Sequence, residues 1–312
     1  MTLDSDWMIL IVLAFGVLII AYGIGCASLA KMQTGLVFRP GYEFKQTPAD
    51  FGLNYREVWI PIRLPVNTEA GTKAETETHT GEELHGWWIG ETQPQQADRV
   101  LVYFHGNRGN ISSTLNLERI AAFYRRWGGS VLIADYRGFG RSVSGPPSES
   151  KLYEDLDAIW EHITQTEGVA PDRQNICVYG HSLGGAAAIE FARRHPSIAA
   201  LIVDGSFTSI YDVALENPNF RLFPLDRILK HRFESIAKVH SLTMPTLFIH
   251  GTADDVVPSF MSEQLYAAAA EPKELCLLPG VHHEDVLELA EETFLATLSK
   301  FLDRSNQRVR PS

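Results

Sequence analysis

Short apolar runs alternate with helix-like segments along most of the chain, and this alternation constrains the fold more than any other feature. Runs such as Val100–Phe104 and residues 247–249 are apolar at every position, which is typical of parallel strands buried on both faces. The pattern predicts eight strands, at residues 56–62, 84–89, 99–104, 130–135, 176–179, 199–204, 246–250 and 274–278. Helices are predicted at residues 113–127, 150–166, 184–194, 259–270 and 284–302. We therefore expect an α/β domain with a mostly parallel eight-stranded sheet flanked by helices.

An uncharged, apolar run occupies residues 7–30 at the N-terminus. At a rise of 1.5 Å per residue, a helix of this length extends ~36 Å and crosses a hydrocarbon core of ~30 Å. A cleaved signal peptide has a basic start and a shorter apolar stretch, whereas Asp4 and Asp6 precede this segment. The run predicts a retained transmembrane helix; a buried core helix and a lipoprotein signal that ends at Cys26 are the alternatives.

Basic residues follow this run and do not precede it: Lys31, Arg39 and Lys45 lie on its C-terminal side. The positive-inside tendency then places the bulk of the chain in the cytoplasm, as part of a single-pass membrane protein. We divide the chain into a transmembrane anchor at residues 1–30, a connector at 31–54, a globular domain at 55–305 and a C-terminal tail at 306–312.

The charge balance and the cysteines narrow the range of partners. The 312 residues include 27 Lys and Arg against 38 Asp and Glu, a net charge of −11. Phosphate binding needs a surplus of basic side chains, so this balance argues against nucleic acid as a partner. Cys26, Cys177 and Cys276 are widely spaced and predict neither a disulfide framework nor a zinc site. We expect no cofactor, no metal ion and a monomeric globular domain.

The strongest local signal is the G-x-S-x-G sequence Gly180-His181-Ser182-Leu183-Gly184. It follows an apolar strand directly and opens the next predicted helix. A serine on such a sharp turn has a strained backbone, so the residues two positions before and after it must be small. The helix N-terminus behind it also favours a developing negative charge. The pattern predicts that Ser182 is a nucleophile.

A nucleophilic serine needs a base that is oriented by an acid, and candidates for both follow predicted strands. The loop after the seventh strand carries Asp254, and the loop after the eighth carries His282 and His283. The carboxyl ends of parallel strands meet at one edge of a sheet, where catalytic groups collect. These groups also arrive in the order serine, acid, histidine. Asp204, which ends an earlier strand, is a rival acid.

Three further segments match the signature sequences of one superfamily. They are His105-Gly106-Asn107-Arg108-Gly109-Asn110, then Asp135-Tyr136-Arg137-Gly138-Phe139-Gly140-Arg141-Ser142 with residues 145–149, and His250-Gly251-Thr252-Ala253-Asp254 with Val257-Pro258. With these segments the chain resembles the α/β-hydrolases, and most of all the membrane-anchored serine hydrolases of the BEM46-like type. The resemblance covers about residues 45–305. It implies an α/β-hydrolase fold with a short lid, which we place at about residues 206–243.

The resemblance implies a role for each matching position. Ser182 would be the nucleophile and Asp254 the acid. His283 would be the base, because it aligns with the histidine of the family when the trailing Asp285 is matched. Glu284 stands where the family has asparagine, which puts the local hydrogen bonding in doubt.

The remaining roles belong to the residues around the nucleophile. The backbone amides of Asn107 and Leu183 would form the oxyanion hole. The supporting residues would be His105, Gly106, Gly180, His181 and Gly184.

These assignments imply a membrane-anchored serine hydrolase that cleaves carboxylic ester or thioester bonds of lipid or acyl substrates through an acyl-enzyme. A serine peptidase on the same fold and a catalytically silent binding module are the alternatives. The lid residues 217–238 carry five basic and two acidic side chains. This segment is either an amphipathic helix with a solvated charged face, or it rests on anionic lipid near the anchor.

Overall fold

The structure is a computed structural model that describes residues 5–64, 78–90, 99–170 and 175–307. The polar connection that the sequence predicts between the first two strands, at residues 65–83, falls mostly outside these ranges, as does most of the predicted tail at 306–312. The strands are β1 (Arg39–Pro40), β2 (Tyr55–Leu64), β3 (Thr78–Ile89), β4 (Val100–Phe104), β5 (Arg108–Gly109), β6 (Ser130–Ala134), β7 (Ile176–His181), β8 (Ala200–Asp204), β9 (Thr246–Gly251) and β10 (Lys273–Leu278).

Eight of these strands form the central sheet, in the order β10-β9-β8-β7-β4-β6-β3-β2. The pairs from β10 to β6 are parallel, and only β3 and β2 at one edge run antiparallel to their neighbours. This confirms the mostly parallel eight-stranded sheet. The parallel order also brings the carboxyl ends of β4, β7, β8, β9 and β10 to one edge of the sheet.

Helices cover both faces of the sheet. They are α1 (Ser5–Val37), α2 (Thr114–Trp127), α3 (Glu149–Glu161), α4 (Leu183–Arg194), α5 (Ile210–Glu216), α6 (Leu225–Ile228), α7 (Phe260–Ala268), α8 (Val286–Leu289) and α9 (Glu291–Gln307). Alternate residues of β4 face opposite sides: Val102 packs in the core under α3, α4 and α7, and Leu101 packs in the core under α2 and α9. The strands are buried on both faces, so their sequences are continuously apolar.

Helix α1 is longer than the apolar run at residues 7–30. Its segment Trp7–Val37 contains an 18-residue stretch with a mean hydropathy of 2.7, and it is long and apolar enough, by length and composition, to cross a membrane. Large apolar side chains are exposed from Trp7 to Ile24, whereas Gln33 is only 2% exposed. The helix continues past residue 30, into the predicted connector, because its last turns pack on the globular domain.

Hydrogen bonds hold these last turns of α1 against the predicted lid. The side-chain amide of Gln33 donates to the carbonyl of Ile228 at 3.1 Å, and its oxygen accepts from the backbone N–H of Lys230 at 2.6 Å. At the next residue, the hydroxyl of Thr34 lies 2.9 Å from Nε2 of His231. The end of the apolar helix and the lid therefore form one packed unit.

The predicted connector contains a short strand that the sequence did not indicate. Strand β1 pairs in parallel with β5, which follows β4, and the pair forms a separate two-stranded sheet. The backbone N–H of Arg39 donates to the carbonyl of Asn107 at 2.8 Å, and that of Gly41 donates to Gly109 at 2.7 Å. This small sheet fixes the exit of α1 to the loop after β4.

The predicted lid lies between β8 and β9. It contains the short helices α5 and α6 and two single turns of 3₁₀-helix, at Phe220–Leu222 and Val239–Ser241. The continuous amphipathic helix considered for residues 217–238 is not formed. Pro218 and Pro224 interrupt this segment, since proline lacks the backbone N–H that an α-helix needs.

Candidate active site

The turn between β7 and α4 carries Ser182. Its backbone has φ 56° and ψ −120°, a conformation that residues other than glycine rarely adopt. The glycines on either side permit it. A Cβ at Gly180 would lie 2.0 Å from the carbonyl oxygen of Gly184, and a Cβ at Gly184 would lie 2.0 Å from that of Phe104. Only glycine fits at these two positions, so the sequence G-x-S-x-G is a requirement of the turn.

The structure brings Ser182, His283 and Asp254 together at the carboxyl edge of the sheet. Nε2 of His283 lies 3.0 Å from Oγ of Ser182, and Nδ1 lies 2.7 Å from Oδ2 of Asp254. An ionised carboxylate only accepts hydrogen bonds, so Nδ1–H donates to Asp254 and Nε2 accepts from the hydroxyl of Ser182. The three side chains form one continuous row of hydrogen bonds.

Several donors stabilise the charged form of Asp254. The backbone N–H groups of Val256 and Val257 donate to Oδ1 at 2.9 and 2.8 Å, and Nε2 of His250 lies 3.1 Å from Oδ2. Burial by itself would raise the pKa of Asp254, but the hydrogen bonds from His250 and His283 outweigh burial and lower the pKa below its usual range. The carboxylate is therefore ionised and can orient the imidazole.

The rival acid, Asp204, lies elsewhere. Its carboxylate accepts a hydrogen bond from the hydroxyl of Tyr179 and lies 3.7 Å from Nη2 of the buried Arg119. Its backbone carbonyl accepts the N–H of Ser182 at 2.9 Å. Asp204 therefore supports the turn through its backbone, and its carboxylate has no hydrogen bond with His283 in the described part of the chain.

The rival base, His282, faces solvent. Its side chain is exposed, whereas His283 is only 9% exposed. The backbone N–H of His282 donates to Oδ1 of Asp285 at 2.7 Å, which shapes the turn that directs the next side chain inward. Glu284, at the position where the family has asparagine, is exposed and lines the cleft described below.

Two buried histidines support the site. Nε2 of His181 donates to the backbone carbonyl of His283 at 3.0 Å, so it fixes the loop that carries the imidazole. Burial, together with the positive charge of Arg119, lowers the pKa of His181 well below its usual range. Burial also lowers the pKa of His105 to about 4; its ring stacks on Tyr136 at 4.3 Å, beneath the loop after β4.

The residues predicted to form the oxyanion hole lie beside Ser182. Gly106, Asn107 and Leu183 line the same cleft as the serine. The side chain of Asn107 donates to the carbonyl of Val37 at 3.0 Å, so the loop after β4 is bound to the last residue of α1.

A cleft of about 790 Å³ opens above Ser182. Its walls come from three parts of the chain: the loops at the carboxyl edge of the sheet, the lid, and α1. The apolar lining from the lid and α1 includes Leu29, Leu36, Val37, Phe207, Ile210, Val213, Leu225 and Leu229. The apolar N-terminal helix is therefore a wall of the candidate active site as well as a candidate membrane span.

The sequence is similar to known proteins along most of its length. The sequence profile of the family described as serine aminopeptidase, S33, matches residues 95–235 and 225–290. An uncharacterized protein of Mycobacterium tuberculosis is 38% identical over 79% of this chain and 86% of its own length. Protein bem46 of Schizosaccharomyces pombe is 31% identical over 84% of this chain and 86% of its own length. The chain is a BEM46-like α/β-hydrolase.

Solved structures share the fold of this BEM46-like α/β-hydrolase. An esterase of Pyrococcus furiosus superimposes with a TM-score of 0.64 and 20% identity, over 86% of this chain and 97% of the esterase. A monoacylglycerol lipase of Paleococcus ferrophilus has a TM-score of 0.53 and 19% identity, over 72% of this chain and 99% of the lipase. The family of the sequence relatives, together with this fold, identifies the BEM46-like chain as a hydrolase.

Sequence reasoning missed the contribution of α1 to the cleft of the BEM46-like hydrolase. Leu29, Gln33, Leu36 and Val37 all line it. Their spacing of i, i+4, i+7 and i+8 places them on one face of a helix, a signal that was present in the sequence. The signal was missed because only Leu29 lies in the apolar run at residues 7–30, whereas Gln33, Leu36 and Val37 fall in the predicted connector, where no helix was expected.

The lowered pKa of His181 predicts a loss of stability in mild acid. The unfolded chain binds a proton at this histidine below about pH 6.5, whereas the folded chain does not, so falling pH favours unfolding. We expect the free energy of unfolding to fall by up to about 1.4 kcal/mol per pH unit from this group below that pH. The measurement is chemical denaturation of the intact, detergent-solubilised protein at pH 7 and pH 5.

In this experiment the variant His181→Gln should show a smaller difference between the two pH values than the unsubstituted protein. His282→Gln is the matched control, because it removes an exposed histidine from the same site, and it should leave the difference unchanged. Equal pH dependence in His181→Gln and the unsubstituted protein would contradict the prediction.

Proposed function

We propose that this hydrolase is a serine hydrolase that cleaves carboxylic ester or thioester bonds. The proposal rests on the continuous row of hydrogen bonds from Ser182 through His283 to Asp254 at the base of an open cleft. This arrangement has the elements of nucleophilic acyl transfer: a hydroxyl, a base within hydrogen-bond distance and an ionised acid that orients the base.

In the proposed reaction, Nε2 of His283 takes the proton of Ser182 while Oγ attacks the carbonyl carbon. The N–H groups of Asn107 and Leu183 would donate to the oxyanion, and each such donor contributes about 10²–10³ to the rate. The imidazolium then protonates the leaving alcohol or thiol, and the acyl group stays on Ser182. Water, deprotonated by His283, attacks the acyl carbon; the bond to Oγ of Ser182 then breaks, His283 returns the proton to Oγ, and the acid leaves.

The apolar lining of the cleft supports a substrate with an acyl chain. Leu225 and Leu229 of the lid face the same space as Leu29 and Leu36 of α1. We propose that α1 is retained as a single-pass anchor, with the globular domain on the cytoplasmic side. An acyl chain from the adjacent bilayer would then enter the cleft between α1 and the lid.

A serine peptidase is a second candidate, and two observations favour it. The family that matches the sequence is described as a serine aminopeptidase. In addition, the carboxylate residues Glu216, Asp255 and Glu284 line the cleft and could bind an α-amino group. Hydrolysis of aminoacyl anilides in preference to acyl esters and thioesters of increasing chain length would select the peptidase.

Replacement of the nucleophile tests the proposal. Ser182→Ala should abolish labelling by a fluorophosphonate and lower turnover by on the order of 10⁶, as loss of a triad serine does in other enzymes. The measurement is gel fluorescence of the labelled full-length protein together with release of acid from acyl esters. Ser305→Ala, which replaces a buried serine that donates to the backbone within α9, is the control and should still be labelled. Undiminished labelling of Ser182→Ala would contradict the proposal. If the unsubstituted protein is neither labelled nor active, the catalytically silent binding module is the better interpretation.

A comparison of two aspartates tests the acid. Asp254→Asn should lower kcat by about 10⁴, because an amide fixes the wrong tautomer of the base. Asp204→Asn keeps the backbone carbonyl that binds Ser182, so we expect a much smaller loss of kcat. Steady-state kinetics on one soluble ester measures both. A larger loss of kcat in Asp204→Asn would overturn the assignment.

The exposed basic residues of the lid test its contact with lipid. Arg227 and Lys230 are exposed near the end of α1, and basic residues at an anionic surface contribute about 1 kcal/mol each. Arg227→Glu with Lys230→Glu should therefore slow hydrolysis of a long-chain ester in anionic vesicles by roughly tenfold or more.

The same lid variant should hydrolyse a small soluble ester at nearly the unsubstituted rate. The control is Arg125→Glu with Arg126→Glu, which changes the charge equally at the C-terminal end of α2. Equal losses on the soluble and the vesicle-borne ester would exclude contact between the lid and lipid.

A further inference from the structure

Two arginines stand side by side at the cleft, where the exit of α1 meets the loop after β4. Arg39 of β1 and Arg108 of β5 are register partners in the small parallel sheet. Both residues are exposed, and both line the cleft above Ser182. Neighbouring strands lie ~4.8 Å apart, so the two arginine side chains start from backbone positions that are close to each other.

This pair of positive charges is not balanced locally. Neither guanidinium forms an ion pair with a carboxylate within 4.0 Å in the ranges that the structure describes. Like charges on adjacent strand positions repel each other and destabilise the pairing. An anion that binds between the two guanidinium groups would relieve this repulsion at the rim of the cleft.

Two of the three acidic residues of the cleft lie on the other side of the nucleophile, and the third, Glu216, belongs to α5 of the lid. Asp255 follows β9 and Glu284 follows β10, whereas Arg108 follows β4. In the sheet, β7, which leads to Ser182, lies between β4 and the pair β9 and β10. The cleft is therefore basic on the side of the small sheet and acidic on the opposite side.

The basic side lies close to the reacting atoms. Arg108 directly follows Asn107, whose N–H we propose as an oxyanion donor. A Cβ at Gly106 would lie 3.7 Å from Cβ of Ser182, which shows how closely this loop approaches the nucleophile. Arg39 follows the apolar helix by two residues, and Leu36 and Val37 of that helix line the same cleft. Cationic and apolar surfaces therefore adjoin each other beside Ser182.

We propose that Arg39 and Arg108 bind the phosphate-bearing head group of an acyl ester whose acyl chain lies along α1 and the lid. Paired guanidinium groups are suited to phosphate, because each presents a planar fork of N–H donors. This inference rests on the proposed function, because the substrate is an ester. Binding of the anion can nevertheless be tested without turnover.

Binding to the inactive variant tests the anion site directly. Octyl phosphate, its neutral counterpart octanol and inorganic phosphate are titrated into full-length Ser182→Ala in a neutral detergent, with calorimetry as the readout. We expect octyl phosphate to bind more tightly than octanol and more tightly than inorganic phosphate. Adding Arg39→Gln and Arg108→Gln should weaken binding of octyl phosphate by about tenfold or more, as loss of charge-assisted hydrogen bonds does.

The matched control is Arg125→Gln with Arg126→Gln, which removes two exposed, adjacent arginines from the end of α2. It should leave binding of octyl phosphate unchanged. Binding of octyl phosphate that is insensitive to Arg39 and Arg108 would overturn the proposal. Inorganic phosphate that binds as tightly as octyl phosphate would show a site for free phosphate, and would also overturn it.

Kinetics with matched substrates separates this proposal from the proposed function. Butyryl glycerol and butyryl glycerol phosphate are compared as soluble substrates of the Ser182-containing enzyme. The ratio of kcat/KM, phosphate ester over neutral ester, should fall by about tenfold in the double arginine variant and stay constant in the control.

Hydrolysis of both esters without a preference that depends on the arginines would overturn the head-group site and leave the serine hydrolase intact. If octyl phosphate binds in a way that depends on the arginines but neither ester is hydrolysed, the head-group site is supported and the proposed function is contradicted. An acylated acidic peptide that is hydrolysed better than butyryl glycerol phosphate, with the same dependence on the arginines, would assign the site to a protein substrate and overturn the lipid proposal.

Discussion

The backbone of Ser182 is the constraint on which the rest of the site depends. Its positive φ costs about 1–3 kcal/mol, and such a conformation persists only where the surroundings fix it. Here the N–H of Ser182 donates to Asp204 on β8, its carbonyl accepts from the hydroxyl of Ser206, and Gly180 and Gly184 allow the chain to close on itself. Contacts of this turn with β4 and β8 therefore fix its position after β7, so that the hydroxyl of Ser182 faces His283.

The end of α1 is bonded directly to the loop that would bind the oxyanion. Asn107 donates through its side chain to Val37 and accepts through its carbonyl from the N–H of Arg39. Displacement of α1 would break both bonds and remove the wall that Leu29 and Leu36 provide. Because of these contacts, the position of an apolar, candidate membrane helix and the shape of the catalytic cleft depend on each other.

The sequence predicted the sheet and the grouping of Ser182, Asp254 and His283 because each follows a buried strand, and parallel strands end at one edge. It predicted neither β1 nor the continuation of α1. Strand β1 has two residues and pairs with Arg108–Gly109, about seventy positions away, so no local periodicity marks it. The lid was also predicted only in position, because its short helices depend on contacts with α1 and on two prolines.

In the proposed anchored arrangement, the length of α1 determines how far the cleft lies from the hydrocarbon core of the bilayer. The exposed apolar stretch from Trp7 to Ile24 extends ~27 Å as a helix, close to the thickness of a hydrocarbon core. Leu29, the first residue of α1 that lines the cleft, then lies ~8 Å beyond this stretch, and Val37 lies ~20 Å beyond it. Ester carbonyls and head groups of lipids lie at about the depth of Leu29, because each interfacial region is ~5–8 Å thick. In the proposed anchored arrangement, the apolar wall of α1 would lead from the membrane surface to the proposed pair of arginines beside Ser182.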